Sequence, residues 1–320
     1  MIGRAAVLAL ALAALASYGD AVAQPSPARP VNVIVPAPPG STPDLVARIL
    51  GERLRPIIGQ GFLVENRPGA GGTIGAEFVA RAAPDGQTLL CATEWVFFSH
   101  LLHTKLNFDP HSFAPVSVVV RYPLVLIGRR DLPASNIEDL IAYARAQPGK
   151  LSYASSGKGS MHQLVYEAIK RQANVELTHV PYRGGPPAIN DLLAGHVDVS
   201  LTSINQAAPL VKDGKLKLLA VVDNSRLSDF PDTPRLAEVL PGLEAEAWTG
   251  LVAPPATPEA VTRRLSDAVA QVLQMPDVRA RLLEMLLEPV GSTPNEMRTV
   301  MRKDANRWAP VIKTANITID

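Results

Sequence analysis

The sequence is poor in several residue types, and each shortage excludes a class of protein. Its only cysteine, Cys91, cannot form an internal disulfide, so packing alone must hold the fold. Only 5% of the 320 residues are aromatic, which leaves few rings for stacking on sugars. The 31 basic and 30 acidic residues give a formal net charge of +1, without an extended run of lysine or arginine. We therefore expect no nucleic acid partner and no anionic membrane surface as a partner.

Motifs for catalysis or metal binding are also missing. The chain contains no G-x-S-x-G nucleophile elbow, and its six histidines have no H-E-x-x-H or C-x-x-C companion. The run Gly69–Gly75 resembles a dinucleotide fingerprint, but its last glycine is displaced by one position, so we interpret it as a turn and a helix start. The sequence predicts no cofactor, no metal and no enzymatic activity; an exported α/β hydrolase-like enzyme is an alternative that no motif supports.

The N-terminus has the three parts of a secretory signal peptide. Arg4 precedes an apolar run from Ala5 to Ala16, and the small-residue triplet Ala21-Val22-Ala23 follows. The apolar run is shorter than the roughly 17–25 residues that a membrane-spanning helix needs. The sequence therefore predicts export to the periplasm with cleavage after Ala23.

Strand-like and helix-like segments alternate through the rest of the chain. Residues 31–35 have the pattern of a buried strand, residues 45–58 have the i, i+3, i+4 spacing of a helix, and similar pairs recur as far as residue 222. This alternation predicts an α/β fold with parallel sheets flanked by helices. Extended hydrophobic segments near residue 120 and at 220–250 predict that the chain crosses twice between two lobes. The predicted bounds are a signal peptide at 1–23, lobe 1 at 24–124, lobe 2 at 125–245, and a return to lobe 1 with C-terminal helices at 246–320.

A turn that follows the first predicted strand carries small and hydroxyl residues. Within Pro38–Asp44, Thr42 fits an N-cap and Pro43 the first helical position. One interpretation is a well-capped helix, and the other is that the backbone N–H groups of residues 40–42 face an anion. Ligands of α/β sheets bind at such strand-to-helix turns, so both interpretations stay open.

Two later turns have the same character. Ser155–Ser160 ends in capping-box form with Gln163, and its two glycines favour a cradle of donors for a carboxylate. Val180–Pro186 contains Arg183, which we interpret as a solvated surface charge, and glycines that are the expected contacts. Thr202 and Ser203 close the next strand and add hydroxyls at the same sheet edge.

Longer motifs resemble one known family, in order along the chain. Glu65–Gly75 followed by Pro84-Asp85-Gly86 is similar to the hallmark segment of the tripartite tricarboxylate transporter solute receptors, also called the Bug family. Further similarity lies at Pro39-Gly40 with Asp44–Arg48, at Val180–Gly184, at Asp191–Asp198 and at Trp248–Pro254. The resemblance runs from about Pro30 to the C-terminus. It implies a fold like that of the type II periplasmic binding proteins, a Venus-flytrap with two α/β lobes, a hinge and the ligand cleft between them.

The resemblance also implies a function. It predicts a monomeric solute-binding protein that holds a small carboxylate, whether a di- or tricarboxylate, an amino acid or an aromatic acid, and passes it to the subunits of a membrane transporter. A protein that reports its ligand to a membrane sensor kinase is the alternative. Carried onto this chain, the resemblance and the turns assign the ligand contacts to Gly40, Ser41, Thr42, Thr93, Ser155, Ser156, Gly157, Gly159, Ser160, Tyr182, Gly184, Gly185, Thr202 and Ser203.

The chain departs from the family pattern at several positions. Ser41 stands where the family usually has a second glycine, and His162 comes one place before the position, Gln163, where the family often has histidine. Glu94 and Trp95 replace small polar residues, and we interpret Glu94 as a solvent-facing side chain. Trp248 either lines the cleft or packs near the hinge.

Overall fold

The computed structural model describes residues 29–103 and 105–315. The predicted signal peptide and its cleavage site after Ala23 lie outside these ranges. None of the helices within them combines the length and the apolar character that crossing a membrane requires.

Strands and helices alternate as the sequence predicts. The strands are β1 (Val31–Val35), β2 (Phe62–Asn66), β3 (Thr88–Thr93), β4 (Ala114–Arg129), β5 (Ser152–Ser155), β6 (Thr178–Pro181), β7 (Val199–Ser203), β8 (Leu216–Val222), β9 (Glu246–Ala253) and β10 (Glu288–Pro289). The helices are α1 (Thr42–Ile58), α2 (Thr73–Ala80), α3 (Ile137–Ala146), α4 (Met161–Ala173), α5 (Gly185–Leu193), α6 (Ile204–Lys212), α7 (Leu236–Val239), α8 (Glu259–Leu273), α9 (Pro276–Glu284) and α10 (Pro294–Ala315). Short 3₁₀ helices cover Ala70–Gly72, Glu94–Leu101 and Pro110–Ser112.

The 16-residue strand β4 belongs to both halves of the sheet. Its first half pairs with β9 and β10, and the sheet continues from β9 through β3 and β1 to β2. Its second half pairs with β7 and β8, and the sheet continues from β7 through β5 to β6. The predicted α/β architecture with two lobes is confirmed, and we propose that the chain changes lobe within β4 and again between β8 and β9.

The expected parallel pairing is confirmed within each lobe but not at the strands that cross between the lobes. β9 runs antiparallel to both β3 and β4, and β4 runs antiparallel to β7. As a result, β1, β2 and β3 run parallel to β4, whereas β5, β6 and β7 run antiparallel to it. The carboxyl ends of the strands in the two lobes therefore face each other.

Trp248 on β9 packs in the core of the first lobe. Its side chain is only 1% exposed and stacks on Phe97 with 5.6 Å between ring centroids. Its indole N–H donates to Asp304 Oδ2 of α10 at 2.6 Å, which ties the C-terminal helix to this sheet. Of the two interpretations left open by the sequence, packing is the one that the structure shows.

Cys91 on β3 is fully buried, as expected of a small core residue. Its thiol lies 3.4 Å from the carbonyl oxygen of Pro43 at the start of α1. Burial raises the pKa of this thiol, so Cys91 stays protonated and contributes only to packing.

We expect Gly250→Ala to destabilise the protein by about 1–3 kcal/mol, because the central strand β9 has no room for a methyl group. A Cβ at this position would lie 2.7 Å from the carbonyl oxygen of Ser117 and 2.9 Å from Met297 Cε. Gly61→Ala is the matched control, since its Cβ would make only an ordinary 3.9 Å contact with Pro30. Urea unfolding of both variants checks the prediction, and equal midpoints would contradict it.

Candidate functional site

A cavity of about 500 Å³ lies between the two lobes. This size falls within the ~300–1,000 Å³ of typical sites for organic ligands. Its wall is formed by residues that follow β1, β2 and β3 in the first lobe and β5, β6 and β7 in the second, which is the edge where α/β proteins bind ligands. The lining comprises Pro36–Pro38, Ser41–Pro43, Pro68–Gly72, Thr93–Trp95, His103, Tyr122, Leu124, Ser156–Lys158, Ser160–His162, Pro181–Gly185, Thr202, Ser203 and Gln206.

Eleven of the fourteen predicted contact residues lie in this lining. They are Ser41, Thr42, Thr93, Ser156, Gly157, Ser160, Tyr182, Gly184, Gly185, Thr202 and Ser203. They come from five separate segments of the chain, so the fold brings together residues that are as many as 162 positions apart in the sequence. Their contact with a ligand stays a prediction.

The remaining three, Gly40, Ser155 and Gly159, lie outside the lining of the cavity. Gly40 donates its N–H to Asp44 Oδ2 at 3.0 Å, and Gly159 donates its N–H to Gln163 Oε1 at 2.7 Å. The Ser155 hydroxyl is buried, 2.7 Å from His179 Nε2. Because these two N–H groups and this hydroxyl are already paired inside the protein, we expect none of the three groups to contact a ligand directly.

Four helices begin at the cavity: α1, α4, α5 and α6. The N–H groups of Met161 and His162 in α4, and of Ile204 and Asn205 in α6, donate to no residue that the structure describes. Unpaired first-turn N–H groups and the positive end of the helix dipole attract anions. The cavity can therefore bind an anion without a dedicated side-chain cation.

The caps of α1 and α4 differ from each other. At α4 the first half of the predicted capping box is confirmed, since Ser160 Oγ accepts the Gln163 N–H at 3.4 Å. Gln163 Oε1 accepts from the N–H of Gly159, one residue before the N-cap, whereas the Ser160 N–H donates to Gly157 O. At α1 the prediction of Thr42 as the N-cap is wrong by one residue. Ser41 is the N-cap, and its hydroxyl donates to Pro38 O at 2.7 Å without capping a helix N–H.

Thr42 instead links the two lobes. Its hydroxyl oxygen lies 2.8 Å from Ser203 Oγ and 3.0 Å from Asn205 Oδ1, and it accepts a bond from Gln206 Nε2 at 3.3 Å. All three partners sit at the start of α6 in the second lobe. Thr42 therefore joins the helix starts of both lobes.

Glycine backbone forms two further contacts between the lobes. A Cβ on Gly184 would overlap the ring of Pro38, and a Cβ on Gly71 would lie 3.1 Å from the carbonyl oxygen of Lys158. Gly157 and Gly184 also have left-handed φ angles of 138° and 121°, which other residues adopt only with strain. The lobes are in contact around the cavity, and glycine is needed where they touch.

The loop Pro68–Gly72 is a part of the lining that sequence reasoning did not assign to the site. It was interpreted as a turn and helix start, yet it forms the first-lobe wall opposite Gly157 and Lys158. The signal that could have found it is the one used for the other turns, a glycine-rich segment directly after a strand. Met161, His162 and Gln206 were missed because each lies one to three residues inside a helix.

The expectation that Glu94 faces solvent is wrong. The side chain is 4% exposed, and one carboxyl oxygen accepts the backbone N–H of Trp248 at 3.3 Å. Burial raises the pKa of Glu94 to about 8, and the nearby Asp304 carboxyl adds to the rise. Near neutral pH Glu94 is mainly an uncharged acid in the cavity wall.

Three other titratable side chains determine the charge of the lining. Burial lowers the pKa of His162 to about 4, so its ring is neutral, and its buried Nδ1 has no partner among the described residues. Arg183, interpreted as a surface charge, is exposed and also lines the cavity, as does Lys158. The permanent charges of the lining are therefore positive and come from the second lobe.

A family model and several relatives match this chain. The model of the tripartite tricarboxylate transporter family receptors matches residues 46–317. A UPF0065 protein in the tcbD-tcbE intergenic region of Pseudomonas sp. (strain P51) is 35% identical, with 97% of this chain and 94% of the relative covered. Protein BugT of Bordetella pertussis is 32% identical, with 96% of each chain covered.

Solved structures of similar proteins share the fold. The periplasmic binding protein BugD is 33% identical with a TM-score of 0.86, covering 92% of this chain and 99% of its own. Rpa4515 of R. palustris, solved with adipate, is 34% identical with a TM-score of 0.86 over 91% and 99% of the two chains. MatC of Rhodopseudomonas palustris, solved with bound malate, is 33% identical with a TM-score of 0.84 over 90% and 100%. The fold is that of a periplasmic binding protein.

We expect the stability of the protein to fall as the pH rises from 4.5 towards 8, because of Glu94. In this window the unfolded chain releases a proton that the folded protein keeps, since the folded-state pKa is the higher one. The loss is on the order of 4 kcal/mol. Glu94→Gln should therefore be more stable than the wild type at pH 8 and vary less with pH. Unfolding at pH 5 and 8 tests this, with exposed Glu284→Gln as control; an unchanged slope in Glu94→Gln would contradict it.

We expect Gly184→Ala to hold the lobes apart, because its Cβ would overlap Pro38 across the cleft. Gly195→Ala is the matched control: it also puts a side chain at a positive φ, 76°, but meets no atom within 4 Å. Small-angle scattering should give a larger radius of gyration for Gly184→Ala than for the wild type and Gly195→Ala. Identical radii for all three proteins would show that this contact does not set the distance between the lobes.

Proposed function

The chain belongs to the tripartite tricarboxylate transporter receptor family, and we propose that it is a periplasmic receptor that binds a small carboxylate and delivers it to the membrane subunits of a transporter. The observation that carries this proposal is the convergence of four helix N-termini on one cavity between the lobes. First-turn N–H groups and helix dipoles suit a carboxylate. Two related proteins of the same fold were solved with adipate and with malate, and both molecules are dicarboxylates.

Binding and release, without a chemical change to the ligand, are the whole activity in this proposal. The lining offers hydroxyls and N–H donors, but none of its described serine or threonine hydroxyls is hydrogen-bonded to a histidine or a carboxylate that could act as a base. The charge of the lining is consistent with binding of a carboxylate, because the neutral Glu94 side chain does not repel an anion. We further propose that the protein acts as a monomer after export, and that ligand contact is made by the eleven lining residues named above.

We expect Met161→Pro to weaken carboxylate binding at least about tenfold relative to Met161→Ala. Met161 is the first residue of α4, where proline fits the helix, and Ser160 before it has the extended ψ of 158° that proline requires. Proline removes one N–H donor, whereas alanine keeps it and removes the same side chain. A hydrogen bond to a charged group contributes about 1.5–3 kcal/mol.

Calorimetry with a panel of di- and tricarboxylates, amino acids and aromatic acids provides the measurement. Binding of none of these anions by the wild-type protein would contradict the receptor proposal. Equal affinities of the two variants for the tightest carboxylate would instead remove the start of α4 from the site.

Delivery to a transporter is tested separately. Vesicles that contain the transporter subunits should accumulate the bound carboxylate only when the loaded protein is added. A loaded protein that activates a membrane sensor kinase and supports no uptake would favour the sensing alternative. Cell fractionation and gel filtration test the periplasmic location and the monomeric state.

A further inference from the structure

The two lobes line the cavity with different chemistry. The second lobe contributes three of the four helix starts, those of α4, α5 and α6, and both permanent charges, Lys158 and Arg183. The first lobe contributes the start of α1, prolines and the side chains of Trp95 and Tyr122, and Leu124 lies beside them where β4 begins to pair with the second lobe. The cavity therefore has a pole that suits an anion and a wall that suits an apolar body.

Trp95 is held in a fixed position on this apolar wall. A Cβ on Gly72 would lie 2.5 Å from both Cη2 and Cζ2 of the indole, so the glycine backbone rests directly on the ring. Trp95 is half-buried, whereas Trp248 and Trp308 are 1% and 5% exposed in the core. A ring that is already ordered loses little conformational entropy when a flat ligand stacks on it.

The charges of the lining argue against a ligand with an ammonium group. Glu94 is the only acidic residue among the described lining residues, and no described cation pairs with it. Its carboxyl faces other acidic or neutral groups, Asp304 of α10 and Tyr122 of β4. Because burial raises the pKa of Glu94 to about 8, it offers no full negative charge to an ammonium near neutral pH.

We propose that the cavity selects an aromatic carboxylate, whose carboxylate lies at the helix starts of the second lobe and whose ring lies against Trp95. This selection rests on the proposed function as a carboxylate receptor. The apolar wall binds the ring by burial and stacking, and the helix starts bind the carboxylate. An amino acid would leave its ammonium unpaired, and an aliphatic diacid would leave the indole without a stacking partner.

Calorimetry of the wild-type protein provides the first test, with benzoate, cinnamate and 1-naphthoate against adipate, malate and glutamate. We expect the best aromatic acid to bind about tenfold or more tightly than adipate, and glutamate to bind least. Tightest binding of adipate, malate or glutamate would overturn the aromatic selection and leave the receptor function intact. Binding of none of the six would count against the receptor function itself.

Variants of Trp95 provide the second test. We expect Trp95→Ala to weaken binding of the best aromatic acid about tenfold or more, and binding of adipate less than about threefold. The affinities of Trp95→Phe should lie between those of the wild type and Trp95→Ala. Phe78→Ala is the control, since this first-lobe ring is 39% exposed and lies outside the lining, so it should leave all affinities unchanged. Equal losses for aromatic acid and adipate in Trp95→Ala would overturn the proposal.

Tryptophan fluorescence gives a readout that a structural role of Trp95 alone would not change. Because the other two tryptophans are buried in the core, the aromatic acid should alter the emission of the wild-type protein and leave that of Trp95→Phe nearly constant. An emission change of the same size in Trp95→Phe would place the ligand away from the indole and overturn the proposal.

Discussion

The shared strand β4 is the constraint on which the rest of the molecule depends. Both lobes hydrogen-bond to this one continuous buried strand. β1, β2 and β3 run parallel to it and β5, β6 and β7 run antiparallel, so the carboxyl ends of these six strands meet at the cleft. The helices that follow β1, β5, β6 and β7 then begin at the cleft, and their first-turn N–H groups come with them. A site for an anion thus follows from topology, before any particular side chain is considered.

The sequence predicted the features that short segments determine. The capping form at Ser160, the burial of Cys91 and three of the glycine turns are local patterns, and they appear where expected. Apart from the N-cap of α1, which is predicted one residue late, the errors concern partners that are distant in the chain. Glu94 is buried by contact with Trp248, 154 positions away, and the direction of β9 depends on how the chain crosses between lobes. No local pattern contains either fact.

Charge in this protein acts locally. A formal net charge of +1 gives the molecule almost no long-range field for drawing anions from solution. Inside the cavity, burial keeps the Glu94 acid and the His162 ring uncharged, so the helix starts, with Lys158 and Arg183, dominate the field that a ligand meets. The uncharged state of these wall side chains is therefore as important for the potential in the cavity as the charged residues are, because no negative charge in the described part of the wall cancels the positive potential.

The glycine contacts between the lobes have an energetic consequence. Gly71, Gly157 and Gly184 bring backbone against backbone or proline, so closing the cleft there buries little apolar side-chain area, and such area is worth only ~25 cal/mol per Å². The closed arrangement is thus weakly favoured by the protein itself. A ligand that touches both lobes supplies the missing free energy, so recognition of the ligand and closure of the cleft become a single equilibrium. The loaded and empty forms of the protein then differ in outline, and under the proposed function this difference is what the membrane subunits of the transporter distinguish.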